Sequence, residues 1–304
     1  MDLLLHFRAF VRVAELGGFS AAARALNASQ PAISRQVAEL EARLGARLLH
    51  RSSTGVSLTE EGRVFLDSAR LALDAADGAV GAVGARRGEV SGEVRLGAPL
   101  AFGRMHVVPR LPALFERHPG LSIDLVLADS FGDLVQEGLD ATIRIGVITD
   151  PGLIVRRIGL TRRVVVASPA YLARAGKPLH PDDLAKHECL RFAGLSTGDT
   201  WVFEGAGGTL RVPIAGRLRA STSDAVRSAV LAGMGIFVSP VWLFGPELAS
   251  GEVVRVLAEW ASPVVPIQVA TSSRRQVPPR VRAVTDHLAA EFRLDPLLTD
   301  YGVG

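Results

Sequence analysis

FSAAARALNASQPAISRQVAELEARLG runs from Phe19 to Gly45 and holds two short helical patterns on either side of Asn27-Ala28-Ser29. Ser20 is the expected N-cap of the first, with Ala23 and Leu26 on its inner face. Ser29 is the expected N-cap of the second, and Pro31 falls in its first turn, where a missing N–H leaves no bond unmade. Ile33, Val37, Leu40 and Leu44 recur at helical spacing and mark one buried face. At about 100° per residue, Pro31, Ser34, Arg35 and Ala38 lie opposite, with Gln30 at the leading end. That outer face is small and polar and carries one long guanidinium. An ordinary solvated face has the same texture, but a helix entering the major groove also needs it, to approach closely and reach base edges and phosphates. Helix, tight turn, then a helix led by its polar end is the helix-turn-helix layout.

The run SQPAxSRQxxxLExxLGxxLxxR, from Ser29 to Arg51 and preceded by Ser20, Ala23 and Leu26, resembles the N-terminal signature of the LysR-type transcriptional regulators. The resemblance implies double-stranded DNA as partner, read as a dyad-symmetric operator, with Ser29, Gln30, Pro31, Ser34 and Arg35 on the reading helix. Leu48–Arg51 and Gly55–Leu58 flank a Ser-Ser-Thr-Gly turn and read as a β-hairpin wing. Arg51 is expected where that wing meets DNA, near a phosphate or the minor groove, or else as a solvated wing charge.

Composition bounds the rest. A chain of 304 residues suits two domains with sizeable cores. Hydrophobic residues at 48% with 21% charged exclude a disordered or fibrous chain. Net charge is +3, so any basic footprint for nucleic acid must be local. All basic residues but Lys177 and Lys186 are Arg, which with the Ala and Gly richness reads as coding bias. The single cysteine, Cys189, excludes an intrachain disulfide framework and suits a reducing cytosol; flanked by apolar residues, it reads as a buried, inert thiol. His6, Arg8 and Arg12 interrupt the apolar opening and no small-residue cleavage site follows, so no secretory signal is expected and the protein is placed in the cytoplasm. Ala229–Pro246 is uncharged and nearly membrane-spanning in length. Gly233, Gly235, Pro240, Gly245 and Pro246 break it into a helix end, a strand and a short helix, so no membrane partner is expected.

Before the quoted stretch, Leu3, Phe7, Phe10, Val11 and Ala14 predict a helix over 3–16, stopped by Gly17-Gly18. After the wing, Thr59-Glu60-Glu61 opens a helix to about residue 85, striped by Phe65, Ala69, Ala72, Ala76, Val80 and Val83. So long an isolated stripe needs a partner, and it reads as a dimerisation linker. Residues 86–92 read as a hinge. The expected domains are 1–58 for DNA binding, 59–90 for the linker helix and hinge, and 91–304 for an α/β domain.

From Glu93 strands and helices alternate in the manner of a parallel sheet. The LysR resemblance extends here through DLVQEGLDATIRIG and RVVVASPAYL. It implies two α/β lobes similar to periplasmic solute-binding proteins, about 91–162 with 267–292 and about 163–266, and homo-oligomers, dimer or tetramer. A small-molecule effector is expected between the lobes, at strand ends and helix N-termini. The candidates are Pro99, Leu100, Ala101 and Phe102, Ser130 and Phe131, Gly146 and Val147, Ser168, and Ser221, Thr222 and Ser223. The Ser and Thr hydroxyls serve equally well as helix caps. The family often meets an effector carboxylate with Ser or Thr at the first-strand exit; Ala98–Phe102 is apolar instead and suits a partly apolar or aromatic effector.

No HExxH, GxSxG or P-loop is present, and no cofactor or enzymatic activity is expected. His180, Asp182, Asp183, His187 and Glu188 cluster in sequence, and a proline-led polar loop accounts for them without a metal. Three rival readings are a solute-binding protein, an α/β enzyme with a DNA-binding head, and a constitutive regulator with no effector. Residues 1–58 oppose the first and the missing acid, base and nucleophile oppose the second.

Overall fold

A computed structural model describes residues 2–52, 55–85, 90–130, 134, 137–195, 197–205, 208–260, 264–272 and 277–299; side chains at 51, 52, 67, 71, 74, 77, 78 and 80–85 are not described. The chain forms two compact units, Met1–Gly92 with Arg275–Arg280, and Glu93–Arg274 with Val281–Gly304. No helix among the described residues is long and apolar enough to cross a membrane.

In the first unit, α1 (Leu3–Leu16) starts at Asp2, whose carboxylate accepts the N–H groups of Leu4 and Leu5, and ends at left-handed Gly17. Helix α2 (Phe19–Ala25) is preceded by Gly18, not capped by Ser20 as expected. Phe19 packs on the core and draws the helix start forward, leaving Ser20 inside the first turn, where its hydroxyl donates to Gln30 Oε1 at 3.2 Å. Helix α3 (Gln30–Leu44) has the expected cap: Ser29 Oγ accepts the Ala32 N–H at 3.3 Å. Ile33, Val37 and Leu40 are buried with Phe10 and Val13 of α1, but Leu44 is 43% exposed, contrary to the spacing. Leu48 and Leu49, at the root of the wing, close that end of the core instead.

The wing pairs β1 (Leu49–Ser52) with β2 (Gly55–Leu58), antiparallel, Arg51 opposite Val56. Glu41 Oε1 fixes it to α3 by accepting the N–H groups of Leu48 and Leu49 at 2.8 and 3.1 Å. Helix α4 (Glu60–Ala85) begins where Thr59 Oγ1 accepts the Gly62 N–H and donates to Arg47 O. A Cβ at Gly62 would fall 2.0 Å from Leu48 O, so only glycine permits this approach. Of the expected stripe, Ala69 is fully buried in this unit's core, Phe65 packs edge-on against Phe7, and Ala72 and Ala76 are half-buried. The side chains of Val80 and Val83, and residues 86–89 of the expected hinge, lie outside the described residues.

The second unit opens with β3 (Ser91–Ala98), then α5 (Leu100–Phe102), which runs on through a π turn (Gly103–Val107) and a 3-10 turn (Val108–Arg110) into α6 (Leu111–Arg117). There follow β4 (Gly120–Leu127), β5 (Ala141–Ile145), β6 (Leu153–Ala167) and α7 (Pro169–Ala175). The helix expected from Ser130 to Gly138 falls mostly outside the described residues. Next come β7 (Arg191–Phe192), the hairpin β8 (Thr200–Gly205) and β9 (Gly208–Pro213), β10 (Arg219–Ala220), α8 (Ser223–Leu231) and β11 (Phe237–Pro240). Helix α9 (Gly245–Ser250), β12 (Val254–Val256), β13 (Val264–Ser272), α10 (Pro279–Phe292) and α11 (Pro296–Thr299) complete the unit.

The main sheet runs β4-β3-β5-β13-β6-β11, with β12 also on β6. It is mixed, where alternation suggested a parallel sheet. Strands β3 and β5 are parallel, but β13 is antiparallel to β5 and β6, and β6 is antiparallel to β11 and β12. The cause is β6, 15 residues long. Residues 153–162 pair with β13 in the first lobe, and residues 163–167 pair with β11 and β12 in the second.

Candidate functional site

On α3 the N-terminal turn and outer face are open. Gln30, Pro31, Arg35 and Ala38 are exposed, Ser29 caps the helix, and Ser34 is half-buried. The Arg35 side chain is 81% exposed, with Nε 3.3 Å from Glu39 Oε1. Glu39 Oε2 receives Nε2 of the buried His6 at 2.9 Å, and that hydrogen bond above all holds the Glu39 carboxyl below its ordinary pKa. Arg51 has its backbone in the wing; its side chain lies outside the described residues.

In the second unit a cavity of about 210 Å³ opens between the lobes. The first lobe contributes Pro99, Asp129, Arg144 and Ile145; the second contributes Arg163, Ser223 and an apolar wall that includes Phe192, Leu195, Phe237 and Trp242. Arg163 also borders a neighbouring cavity of about 270 Å³ with Trp201 and Arg211. Burial lowers the pKa of both Arg163 and Arg144, Glu137 opposing the shift at Arg144, yet a guanidinium stays charged at neutral pH. Among the described residues, the Arg163 side chain has no hydrogen-bond or ion-pair partner.

Asp129 joins the two walls. Its Oδ1 accepts the Leu100 N–H at 3.0 Å; its Oδ2 accepts the Ser223 N–H at 2.7 Å and the Ser223 hydroxyl at 3.3 Å. An internal carboxylate therefore occupies the place between facing helix starts where the effector was expected. Nearby, Arg104 of the first lobe meets Asp224 of the second at 2.7 Å.

The structure brings Pro99 and Ser223 of the expected set into one cavity, with Leu100 at its edge through Asp129. Ala101 and Phe102 are fully buried behind the wall, where Phe102 packs edge-on against Trp242 and Phe292. Ser130 and Ser221 are exposed and Val147 is 77% exposed; none of them, nor Gly146, lines the cavity. Ser168 and Thr222 are caps, accepting the N–H groups of Tyr171 and Ala225. Phe131 lies outside the described residues. Asp129, Arg144 and Arg163 were missed. The last two are charges set into apolar strands, ATIRI and RRVVV, and that interruption was the available signal.

Two other clusters resolve plainly. Cys189 is fully buried, and burial, reinforced by Glu188, raises its pKa to about 12, so the thiol is inert. The His180 ring accepts the Asp182 N–H and Asp183 accepts the N–H groups of Leu179 and His180, a capping box around a 3-10 turn.

Known proteins agree with this layout. Residues 4–63 match the family described as bacterial regulatory helix-turn-helix protein, lysR family, and residues 87–293 match the LysR substrate binding domain. The HTH-type transcriptional regulator PtxR of Pseudomonas aeruginosa is 37% identical over 293 residues, 96% of this chain and 94% of that protein. The structure of CrgA, a LysR-type regulator of Neisseria meningitidis, superposes with a TM-score of 0.63 at 31% identity, covering 94% of this chain and 98% of that one. The full-length Vibrio cholerae virulence activator AphB gives 0.60 at 28% identity, with 95% and 98% covered. A matched DNA-binding head, a matched effector domain and relatives along nearly the whole length have one meaning: this chain is a LysR-type transcriptional regulator, with a helix-turn-helix for DNA and a two-lobed domain for a small effector.

Proposed function

We propose that the effector is a small anion with an apolar body, held in the cavity between the lobes. The unpartnered Arg163 guanidinium carries this reading, because a cation facing a partly apolar cavity favours an anion that supplies what it lacks. The wall of Phe192, Leu195, Phe237 and Trp242 takes the apolar part. The volume lies below the roughly 300–1,000 Å³ of drug-sized ligand pockets, which favours a small metabolite. Residues 98–102 supply no Ser or Thr, and Asp129 already uses the donors of Leu100 and Ser223, so the anion falls to Arg163.

Binding, not turnover, fits the cavity. Asp129 has both oxygens engaged by Leu100 and Ser223, which ties the Ser223 hydroxyl into the bridge between the lobes. Domains 1–58, 59–90 and 91–304 divide the labour. Ser29, Gln30, Pro31, Ser34 and Arg35 face a dyad-symmetric operator in the cytoplasm, with Arg51 on the wing near a phosphate. Ala72 and Ala76 form a homodimer seam, in a dimer alone or within a tetramer. An effector that binds one arrangement of the lobes better than another shifts the equilibrium between them.

The test is thermal unfolding of the full chain against a panel of aliphatic and aromatic carboxylates, and the same panel against Arg163→Gln. A carboxylate that stabilises the wild type is expected to bind the variant about 10- to 150-fold more weakly, the loss of one charge-assisted hydrogen bond. Equal stabilisation of both proteins refutes the reading.

A further inference from the structure

We propose that Glu39 is a positioning residue for DNA reading: pinned by buried His6, it orients Arg35 so that the guanidinium's two terminal nitrogens face the groove. The inference rests on the reading of Arg35 as a base contact and adds to it the group that determines its aim.

An exposed Arg–Glu pair four residues apart on a helix is usually weak, because both side chains are free to rotate. Here one end is fixed. His6 lies on α1 at 4% exposure, turned toward α3, and is held from both sides. Its Nδ1 lies 2.6 Å from Asp2 O and its Nε2 lies 2.9 Å from Glu39 Oε2. Both partners offer an oxygen to the ring, one on each side. Glu39 therefore reaches down to a buried donor with one oxygen and across to Arg35 with the other.

The choice of nitrogen gives the arrangement its consequence. Glu39 meets Nε, at 3.3 Å. The fork that pairs bidentately with guanine O6 and N7 is built from the outer nitrogens, and these stay on the side chain's exposed end. A guanidinium held at Nε has lost much of its rotamer freedom before DNA arrives, so binding orders it at less entropic cost. Glu39 also carries a negative charge toward a polyanion, which weakens sequence-independent binding. One residue thus sharpens discrimination and lowers background affinity, whereas a residue serving only fold stability moves both in the same direction.

The experiment uses the full chain and a random duplex library. Wild type, Glu39→Ala, Glu39→Gln, Arg35→Ala and the Glu39→Ala/Arg35→Ala double variant each select duplexes, and a base-resolved preference is read from each. Affinity for an unselected random duplex is measured alongside. Glu39→Ala is expected to lower preference at one base pair in each half-site by about 2- to 12-fold, the factor supplied by fixing a long side chain beforehand. Its affinity for random duplex rises about 2-fold or more. Glu39→Gln keeps one oxygen for Arg35 Nε and turns its NH2 toward the His6 ring, which can accept at Nε2 in the other tautomer; it loses the charge, retains most of the preference and shares the rise. In the Arg35→Ala background, Glu39→Ala changes no base preference at all.

The proposal is overturned if Glu39→Ala leaves the preference intact, or if its effect is the same with and without Arg35. If Arg35→Ala itself leaves every base preference unchanged, the base-contact reading fails first and takes this one with it. Glu39 is 44% exposed, so the variants are expected to fold; matching urea unfolding midpoints check that, and a lower midpoint with a lost preference restored by Glu39→Gln still supports positioning.

Discussion

Removing the Asp129 carboxylate should loosen the two lobes from one another, and the structure says by how much. In Asp129→Ala, the bonds to the Ser223 N–H at 2.7 Å and the Ser223 hydroxyl at 3.3 Å disappear between lobes, and the Leu100 N–H at 3.0 Å loses its acceptor within one. A hydrogen bond to a charged group contributes about 1.5–3 kcal/mol, and a long hydroxyl contact adds less. Asp129 is half-buried, so water recovers part of the loss. About 2–3 kcal/mol of lobe closure remains, a change of roughly 30- to 150-fold in the closed-to-open ratio. Arg104–Asp224 is an exposed pair and adds about 1 kcal/mol at most. Amide hydrogen exchange on the full chain reads this directly: protection at Ser223 should fall by that factor, with Leu100 following, while α10 stays protected. Unchanged Ser223 exchange in a folded Asp129→Ala protein would refute the bridge.

Two further outcomes follow from the same geometry. His106 at 3.5 Å, the Leu297 N–H and Arg110 at 2.6 Å hold the Asp295 carboxyl at about 2, below its ordinary 3.8. A depressed carboxyl adds stability above the unfolded pKa and loses it as pH falls through the folded one. Asp295→Asn should therefore cost about 2 kcal/mol at neutral pH in urea unfolding and flatten the decline between about pH 4 and pH 2, and an unaltered acid limb would count against it. Ala72→Glu with Ala76→Glu should place like charges on the proposed seam of α4 and dissociate the oligomer in sedimentation; an unchanged sedimentation coefficient would mean the seam lies elsewhere.

What the sequence made legible was local. Ser29 and Thr59 cap helices as their positions imply, Gly17 and Gly45 end them, and the wing pairs Leu49–Ser52 with Gly55–Leu58, because each depends on residues a few places apart. Ser20 and Leu44 misled because tertiary packing decides them: Phe19 moves one helix start, and Leu48 and Leu49 take over one end of the core. The cavity was half legible. Pro99 and Ser223 sit at the helix starts that spacing marks, but Asp129 and Arg163 matter through partners or neighbours far away in sequence. Periodicity cannot report a contact between residue 129 and residue 223. Nor can it tell a parallel sheet from a mixed one when a strand such as β6 serves both lobes.

That shared strand sets how the domain is able to move. Ile267 faces Gly159 and Gln268 faces Arg157, so Ile158 is an extra residue in an otherwise continuous two-stranded ribbon. Such a bulge concentrates twist and bending at one place without breaking the ladder on either side. A Cβ at Gly159 would fall 2.9 Å from Leu298 O, which seats α11 directly on the bend. The lobes are therefore coupled as by a torsion bar, in which a small rotation stores elastic energy and returns it when the load is removed. Any ligand that bridges the lobes would work against a spring whose stiffness is fixed by main-chain geometry, with α11 resting on the coil.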